Sequence, residues 1–341
     1  ILRLVFRTNM AKERHFGSFG TEEHALAGRT IAQQGIVLLQ NKKNVLPVDA
    51  SKVKRVLVVG ENAVKRMTVG GGSSSLKAKY EVSPLEGIKA RLGDGAEVIY
   101  SPGYASPAVK EQDVLGAEEP DKMEIDADAL RNDAVKWAKD ADVVFFVGGL
   151  NKNDGQDCEG NDRSSLSLPY EQDQLIAELA KANPNTVVVI ISGNAVAMPW
   201  VKQVPAIVEA WYSGTEAGNA LASILFGDVN PSGKLPFTFP ARLEDNGAHA
   251  LGEHPGDSIN VKYNESIFVG YRWADKQKKT KPLFAFGHGL SYTTFAYGKA
   301  TATKKSLTAD ETITFTVPVK NTGSREGSEV VQLYIGDKKS A

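Results

Sequence analysis

Short apolar runs rich in β-branched residues recur along the chain: "RVLVVG" (55–60), "AEVIY" (96–100), "DVVFFVGG" (142–149), "TVVVIIS" (186–192) and "AIVEAW" (206–211). Their apolar positions are continuous rather than alternating. That pattern predicts strands buried on both faces, and so a mainly parallel sheet covered by helices, an α/β sandwich. The segments between them follow the helical period. Leu130, Ala134, Trp137 and Ala138 share a face before the third run, and Leu175, Ile176 and Leu179 share one before the fourth, with Pro169 suited to a helix's first turn. These stripes read as core. The opening "ILRLVFRTNM" reads as helix interior, without an initiating Met or a cap. Beyond residue 290 the pattern changes: "ETITFTVPVK" and "SEVVQLYIG" alternate apolar with polar residues around the turn "NTGSREG". They predict the beginning of an Ig-like β-sandwich, with fewer strands than the roughly seven that such a fold uses.

Charge narrows the partners. The 341 residues carry a formal net charge of -1, with basic and acidic residues interspersed, so there is no basic field for nucleic acid and no polybasic footprint for a membrane surface. No apolar run approaches the roughly 20 residues that cross a bilayer. The single cysteine, Cys158, leaves no intrachain disulfide and no cysteine-rich metal site. A neutral ligand is the expectation.

In an open parallel sheet, ligands bind outside the carboxyl ends of the strands, which directs attention to two loops. One follows "RVLVVG" and contains "GGGSSS" (70–75). It has neither the G-x-G-x-x-G nor the G-x-x-x-x-G-K-[ST] spacing of a nucleotide site. Gly72 would let backbone approach a ligand closely while Ser73 and Ser74 offer hydroxyls; a flexible turn is the alternative. The other loop follows "DVVFFVGG" and gathers Asp154, Asp157, Glu159 and Asp162 with Arg163. A solvated surface loop is the plain reading of such a cluster, and the calcium series D-x-[DN]-x-[DN]-G is absent. The chemical reading is that one carboxyl handles protons, its pKa raised by its acidic neighbours so that it can donate near neutral pH. Arg163 would pair with an acid and hold the loop in shape.

Elsewhere, His288 in "FGHGLSY" reads as packing, and "KQKKTK" (276–281) as a solvated turn. Trp211 and Tyr212 end a strand and are read either as cleft lining or as core. Residues 241–265 lack periodicity and read as a long excursion; they hold His249, Glu253, His254 and Asp257 without metal-ligand spacing.

Three blocks, "CEGNDRSSLSLPYEQDQLI", "AWYSGTEAGNALASILFGDVNPSGKLPFTFP" and "YRWADKQKKTKPLFAFGHGLSYTTF", resemble in order the signature blocks of glycoside hydrolase family 3. The likeness runs from "GSFGTEEHALAGRTIAQQGIVLLQN" to the last residue. The resemblance implies a barrel domain upstream, then an α/β sandwich, then a fibronectin type III-like domain. Residues 1–20 would be linker from the barrel, 21–240 the sandwich, 241–290 excursion and linker, and 291–341 the beginning of the last domain. It implies that Glu159, the Glu of E-G-x-D-R, is the general acid/base of a retaining β-glucosidase, with Asp157 as the rival and Asp162 and Arg163 supporting the loop. The nucleophilic Asp would come from the barrel, whose S-D-W-like motif is absent here. The expected partners are a β-linked glucoside or oligosaccharide and the remainder of the enzyme. No cofactor and no metal are implied, a homo-oligomer is compatible, and a periplasmic or secreted location is expected. The alternatives are a noncatalytic carbohydrate-binding or assembly module, and a β-xylosidase or β-N-acetylglucosaminidase.

Overall fold

Alternate residues of the central strands face two separate layers of helices. The computed structural model describes residues 1–8, 17–68, 77–106, 126–152, 155–158, 162–257, 259–277 and 281–336. Helices α1 (Leu2–Thr8) and α2 (Glu22–Gly35) precede strand β1 (Val37–Asn41), then β2 (Arg55–Val59), α3 (Pro84–Leu92) and β3 (Glu97–Ser101). Next come α4 (Ala127–Ala138), β4 (Val143–Gly149), α5 (Gln172–Ala182), β5 (Thr186–Ile191), β6 (Ala206–Glu209) and α6 (Ala217–Leu225). The six strands form one sheet in the order β1-β6-β5-β4-β2-β3. All neighbours pair parallel except β1 with β6.

The expected mainly parallel sheet is therefore present, and its five apolar runs are β2 to β6. Val56, Val58, Phe145, Val147, Val187 and Val189 pack with α2, α3 and α6 on one side. Leu57, Val59, Val144, Phe146, Val188 and Ile190 pack with α4 and α5 on the other. Every residue of β4 and β5 is buried, which explains why the alternation of a half-exposed strand is missing from their sequence. Helix starts are set by short polar side chains. Thr21 caps α2, Asp126 caps α4, and Ser83 with Glu86 forms a capping box ahead of Pro84 at the start of α3.

Four local features depart from the sequence pattern. The antiparallel edge strand β1 was not expected; the Leu290 N–H donates to Leu38 O and His288 Nε2 lies 2.8 Å from Leu39 O, so a distant segment completes that edge. Helix α5 starts at Gln172, past Pro169, because Tyr170 and Glu171 take positive φ of 57° and 55°. Trp137 is 39% exposed, whereas Ala134 and Ala138 are buried as expected. Residues 328–336 form no strand, since no described residue ladders with them; Leu333 and Ile335 are 65% and 91% exposed.

After α6 come two short helices, α7 (Gly247–Ala250) and α8 (Tyr271–Lys276), followed by β7 (Phe295–Tyr297), β8 (Thr301–Ala302), β9 (Phe315–Thr316) and β10 (Val319–Asn321). The last four form two antiparallel pairs, β10 with β7 and β8 with β9.

Candidate active site

The acidic loop leaves β4 through a backbone that only glycine tolerates. Gly149 has φ +115°, and a Cβ on it would lie 2.4 Å from Ile191 O. The buried Gln172 side chain clamps this point, accepting from Gly149 N at 2.8 Å and donating to Gly149 O at 2.9 Å. The loop then closes on itself. Asn151 N donates to Gln156 Oε1 at 2.9 Å, Gln156 Nε2 to Tyr170 Oη at 3.0 Å, and Asp157 N to Asn151 O at 3.0 Å.

That bracket aims Asp157 at the ends of the next two strands. Its carboxylate accepts from Gly193 N at 2.6 Å and Asn194 Nδ2 at 3.0 Å, both just after β5, and from Tyr212 Oη at 2.9 Å, after β6. A carboxylate with three donors is held as an acceptor. Burial, and next the Asp157 charge, push the Tyr212 hydroxyl far above its ordinary range, so it stays a donor. On the far side of the loop, Arg163 Nη2 donates to Ala195 O at 2.7 Å. Burial pulls the Arg163 pKa down, opposed by Asp157.

The sequence analysis singled out the loops after β2 and β4. The structure joins the β4 loop to the turns after β5 and β6, while residues 70–75 of the loop after β2 lie outside the described residues. A cleft of about 450 Å³ opens there, lined by Lys152, Asp157, Cys158, Asp162, Arg163, Asn194 and Tyr212. Lys152 Nζ sits 4.3 Å from the centre of the Tyr212 ring. Leu243, His249 and His254 supply the opposite wall, so the segment read as an excursion borders the site. His254 Nε2 lies 3.8 Å from Asp162 Oδ2, and the His249 and His254 rings meet edge to face at 4.8 Å. Desolvation lowers the His249 pKa, and His254 adds to the effect.

Asp157, Asp162 and Arg163 are thus brought together on one cleft. Asp154, Glu159, Gly72, Ser73 and Ser74 lie outside the described residues. The sequence reading missed Gly193 and Asn194, which carry no chemical signature, and Gln172, which looks like an ordinary helix residue. Tyr212 belongs to the cleft, whereas Trp211 packs against Phe237 and Phe239. His288 stacks on Phe284 at 5.0 Å, away from this cleft, as a packing residue. Among the described residues, no group of three or more His, Cys, Asp or Glu side chains is arranged to hold a metal ion.

The mainly parallel α/β sandwich with a cleft at its strand ends has counterparts among known proteins. Residues 36–292 fit the family model described as the glycosyl hydrolase family 3 C-terminal domain. The chain is 51% identical over 348 residues to beta-glucosidase BoGH3A of Bacteroides ovatus, a match covering 99% of this chain and 45% of that protein. It is 37% identical to thermostable beta-glucosidase B of Acetivibrio thermocellus, covering 100% of this chain and 42% of the relative. The crystal structure of DesR, a beta-glucosidase from Streptomyces venezuelae in complex with D-glucose, superposes with a TM-score of 0.82 at 29% identity, covering 95% of this chain and 52% of that one. The chain belongs to glycoside hydrolase family 3. It spans less than half the length of these two curated relatives.

Proposed function

We propose that this chain supplies the proton-handling half of a retaining β-glycosidase that releases terminal β-D-glucosyl residues, with Glu159 as the general acid/base. The observation that carries the reading is the clamp on Asp157. Its three donors fix Asp157, and the Arg163–Ala195 bond fixes Arg163, so the described residues on either side of 159–161 are both held at the cleft, which supports the reading. Asp157, the rival, is engaged as an acceptor and serves as the anchor of the loop. Asp162 and Arg163 support the same loop. The names of the relatives favour glucose as the sugar.

In such a mechanism Glu159 protonates the glycosidic oxygen while a carboxylate about 5–5.5 Å away attacks the anomeric carbon. Glu159 then takes a proton from the water that releases the sugar. The nucleophile is expected from an aspartate elsewhere in the full-length protein, on a barrel domain that also builds most of the sugar pocket. The fibronectin type III-like reading of residues 291–341 belongs to the same proposal.

The test is Glu159→Ala in the full-length protein. Turnover of glucosides with poor leaving groups should fall by roughly 10²- to 10⁴-fold. Aryl glucosides with good leaving groups should lose less, and azide should restore turnover by forming a β-glucosyl azide. Unchanged turnover of the poor leaving groups would overturn the assignment. Sugar binding without any hydrolysis by the unaltered protein would favour a noncatalytic module instead.

A further inference from the structure

Glu209, the last residue of β6, is 0% exposed and sits beneath the Asp157 clamp. Its Oε1 accepts from Trp211 N at 3.2 Å. Its two oxygens lie 3.3 and 3.4 Å from Ser192 Oγ. The geometry admits Ser192 Oγ as donor either to Glu209 or to Asn194 O, and the relative lengths of these contacts favour Asn194 O. A serine hydroxyl has one hydrogen to give, and Ser192 Oγ lies 2.8 Å from Asn194 O, an acceptor that has no hydrogen of its own. With the Ser192 hydrogen directed there, Ser192 Oγ faces Glu209 as an acceptor, and only a protonated carboxyl can complete the contact.

The charged and titratable groups around it agree. Asp157, on the loop after β4, is a like charge, and Tyr212, beyond β6, keeps its hydroxyl proton on Asp157. Arg163 faces Asp157 and Tyr212. Among the described residues, no Lys, Arg or His forms an ion pair or hydrogen bond with Glu209. Burial, above all, raises its pKa well beyond the ordinary carboxylate range, outweighing the opposite effect of its hydrogen bonds with the Trp211 backbone and with Ser192.

We propose that Glu209 is a positioning residue that works as a neutral carboxyl group, holding together the two turns that supply Gly193, Asn194 and Tyr212 as donors to Asp157. Through Ser192 it fixes the turn bearing Gly193 and Asn194. Through Trp211 N it holds the turn bearing Tyr212, where Trp211 itself takes a φ of +56°, a left-handed conformation that needs such support. Loss of the Glu209 proton would place a buried negative charge beside Asp157 and pull the Ser192 hydroxyl off Asn194 O, loosening the clamp. The inference concerns the architecture of the clamp; only its consequence for turnover rests on the proposed function.

Glu209→Gln and Glu209→Ala in the full-length protein test it. Gln can give an N–H to Ser192 Oγ and accept from Trp211 N, as a neutral acid does. A buried acid that keeps its proton makes the native state bind more protons than the unfolded one, so wild-type stability falls as pH rises above the unfolded pKa. The Tm of Glu209→Gln relative to wild type should therefore climb between about pH 5 and about pH 8. A deficit that stays constant or deepens with pH would show an ionised Glu209 and overturn the neutral-carboxyl assignment. In Glu209→Ala, amide exchange at 155–158 and 193–194 should be roughly tenfold faster or more, with Glu209→Gln close to wild type. Unchanged exchange in a folded Glu209→Ala would overturn the positioning role, and if that variant does not fold, the pH trend of Glu209→Gln decides. Neither readout needs a substrate, so both remain decisive if the glycosidase reading fails. If it holds, Glu209→Ala should lower kcat with little change in KM, and Glu209→Gln should retain it.

Discussion

Tyr212 Oη donates to Asp157 Oδ2 across 2.9 Å, tying the turn after β6 to the acidic loop after β4. The same carboxylate oxygen also accepts from Gly193 N, so three strand ends meet on one side chain. Tyr212→Phe removes one donor and leaves the others. It should destabilise the protein by about 1–3 kcal/mol, because Asp157 then lacks a partner in a part-buried position. Urea unfolding gives the energy, and faster amide exchange confined to 155–158 would locate it in the loop. Exchange unchanged there would mean that Gly193 and Asn194 hold the loop without Tyr212.

The exit of β4 depends on a glycine. A methyl group on Gly149 would meet Ile191 O at 2.4 Å and Ile191 N at 2.8 Å, both backbone atoms with little room to retreat, and φ is +115°. Gly149→Ala should cost about 3 kcal/mol, with a lower urea midpoint and an unchanged m-value. Gln172→Leu should also destabilise, because it strips the partners from both backbone groups of Gly149. A glycine change tolerated without loss would require β4 and β5 to separate locally.

These two residues illustrate what the sequence could and could not reveal. Strands β2 and β4 to β6 were legible because burial on both faces writes an unbroken apolar run, and the half-buried edge strand β3 because its short run "EVIY" is rich in β-branched and aromatic residues. Strand β1 was not, since its run "IVLLQ" directly follows α2 and its outer edge is completed by residues 288–290, some 250 positions away. The acidic loop was legible as a concentration of charge at a strand end. Its counterpart wall was not, because an aperiodic polar segment acquires its position only from tertiary contacts. Trp273 supplies two of them, covering Gly247 at 3.1 Å from a built Cβ and donating through Nε1 to Asp245 O. Glu209, a charge in the middle of "AIVEAW", was passed over within an apolar run, because its role appears only once Ser192 and Trp211 are placed beside it.

That second wall should respond to acid. The His249 pKa is lowered in the folded protein, so the unfolded chain takes up a proton first as pH falls. The contribution of neutral His249 is fully present above its ordinary pKa of about 6.5 and is lost as pH drops from there through the folded value. Protonation also sets it against His254, whose ring it meets at 4.8 Å. Amide exchange in 246–254 should therefore quicken below about pH 6.5, and His249→Phe should abolish the added sensitivity. Equal acid sensitivity in that variant would overturn the assignment to His249.

Cys158 offers a direct probe of the cleft, because it is the chain's single cysteine and a half-buried member of the cleft wall, one residue from the Asp157 anchor. A thiol reagent should modify one group per chain, slowly in the native protein and rapidly in denaturant, since partial burial limits approach to the sulfur. If the cleft contacts sugar, saturating glucose or a nonhydrolysable glucoside should slow labelling of Cys158 in the full-length protein, followed on the Cys158 peptide by mass spectrometry, while a sugar alcohol lacking the ring should not. Modification should also lower turnover in proportion to its extent, because added bulk at Cys158 occupies the cleft and displaces the loop beside Asp157. Equal labelling rates with and without ligand, in protein shown by calorimetry to bind it, would place the sugar elsewhere. Tyr212→Phe sharpens the test: with the loop loosened, Cys158 should label faster without ligand and should recover part of its protection when ligand is bound.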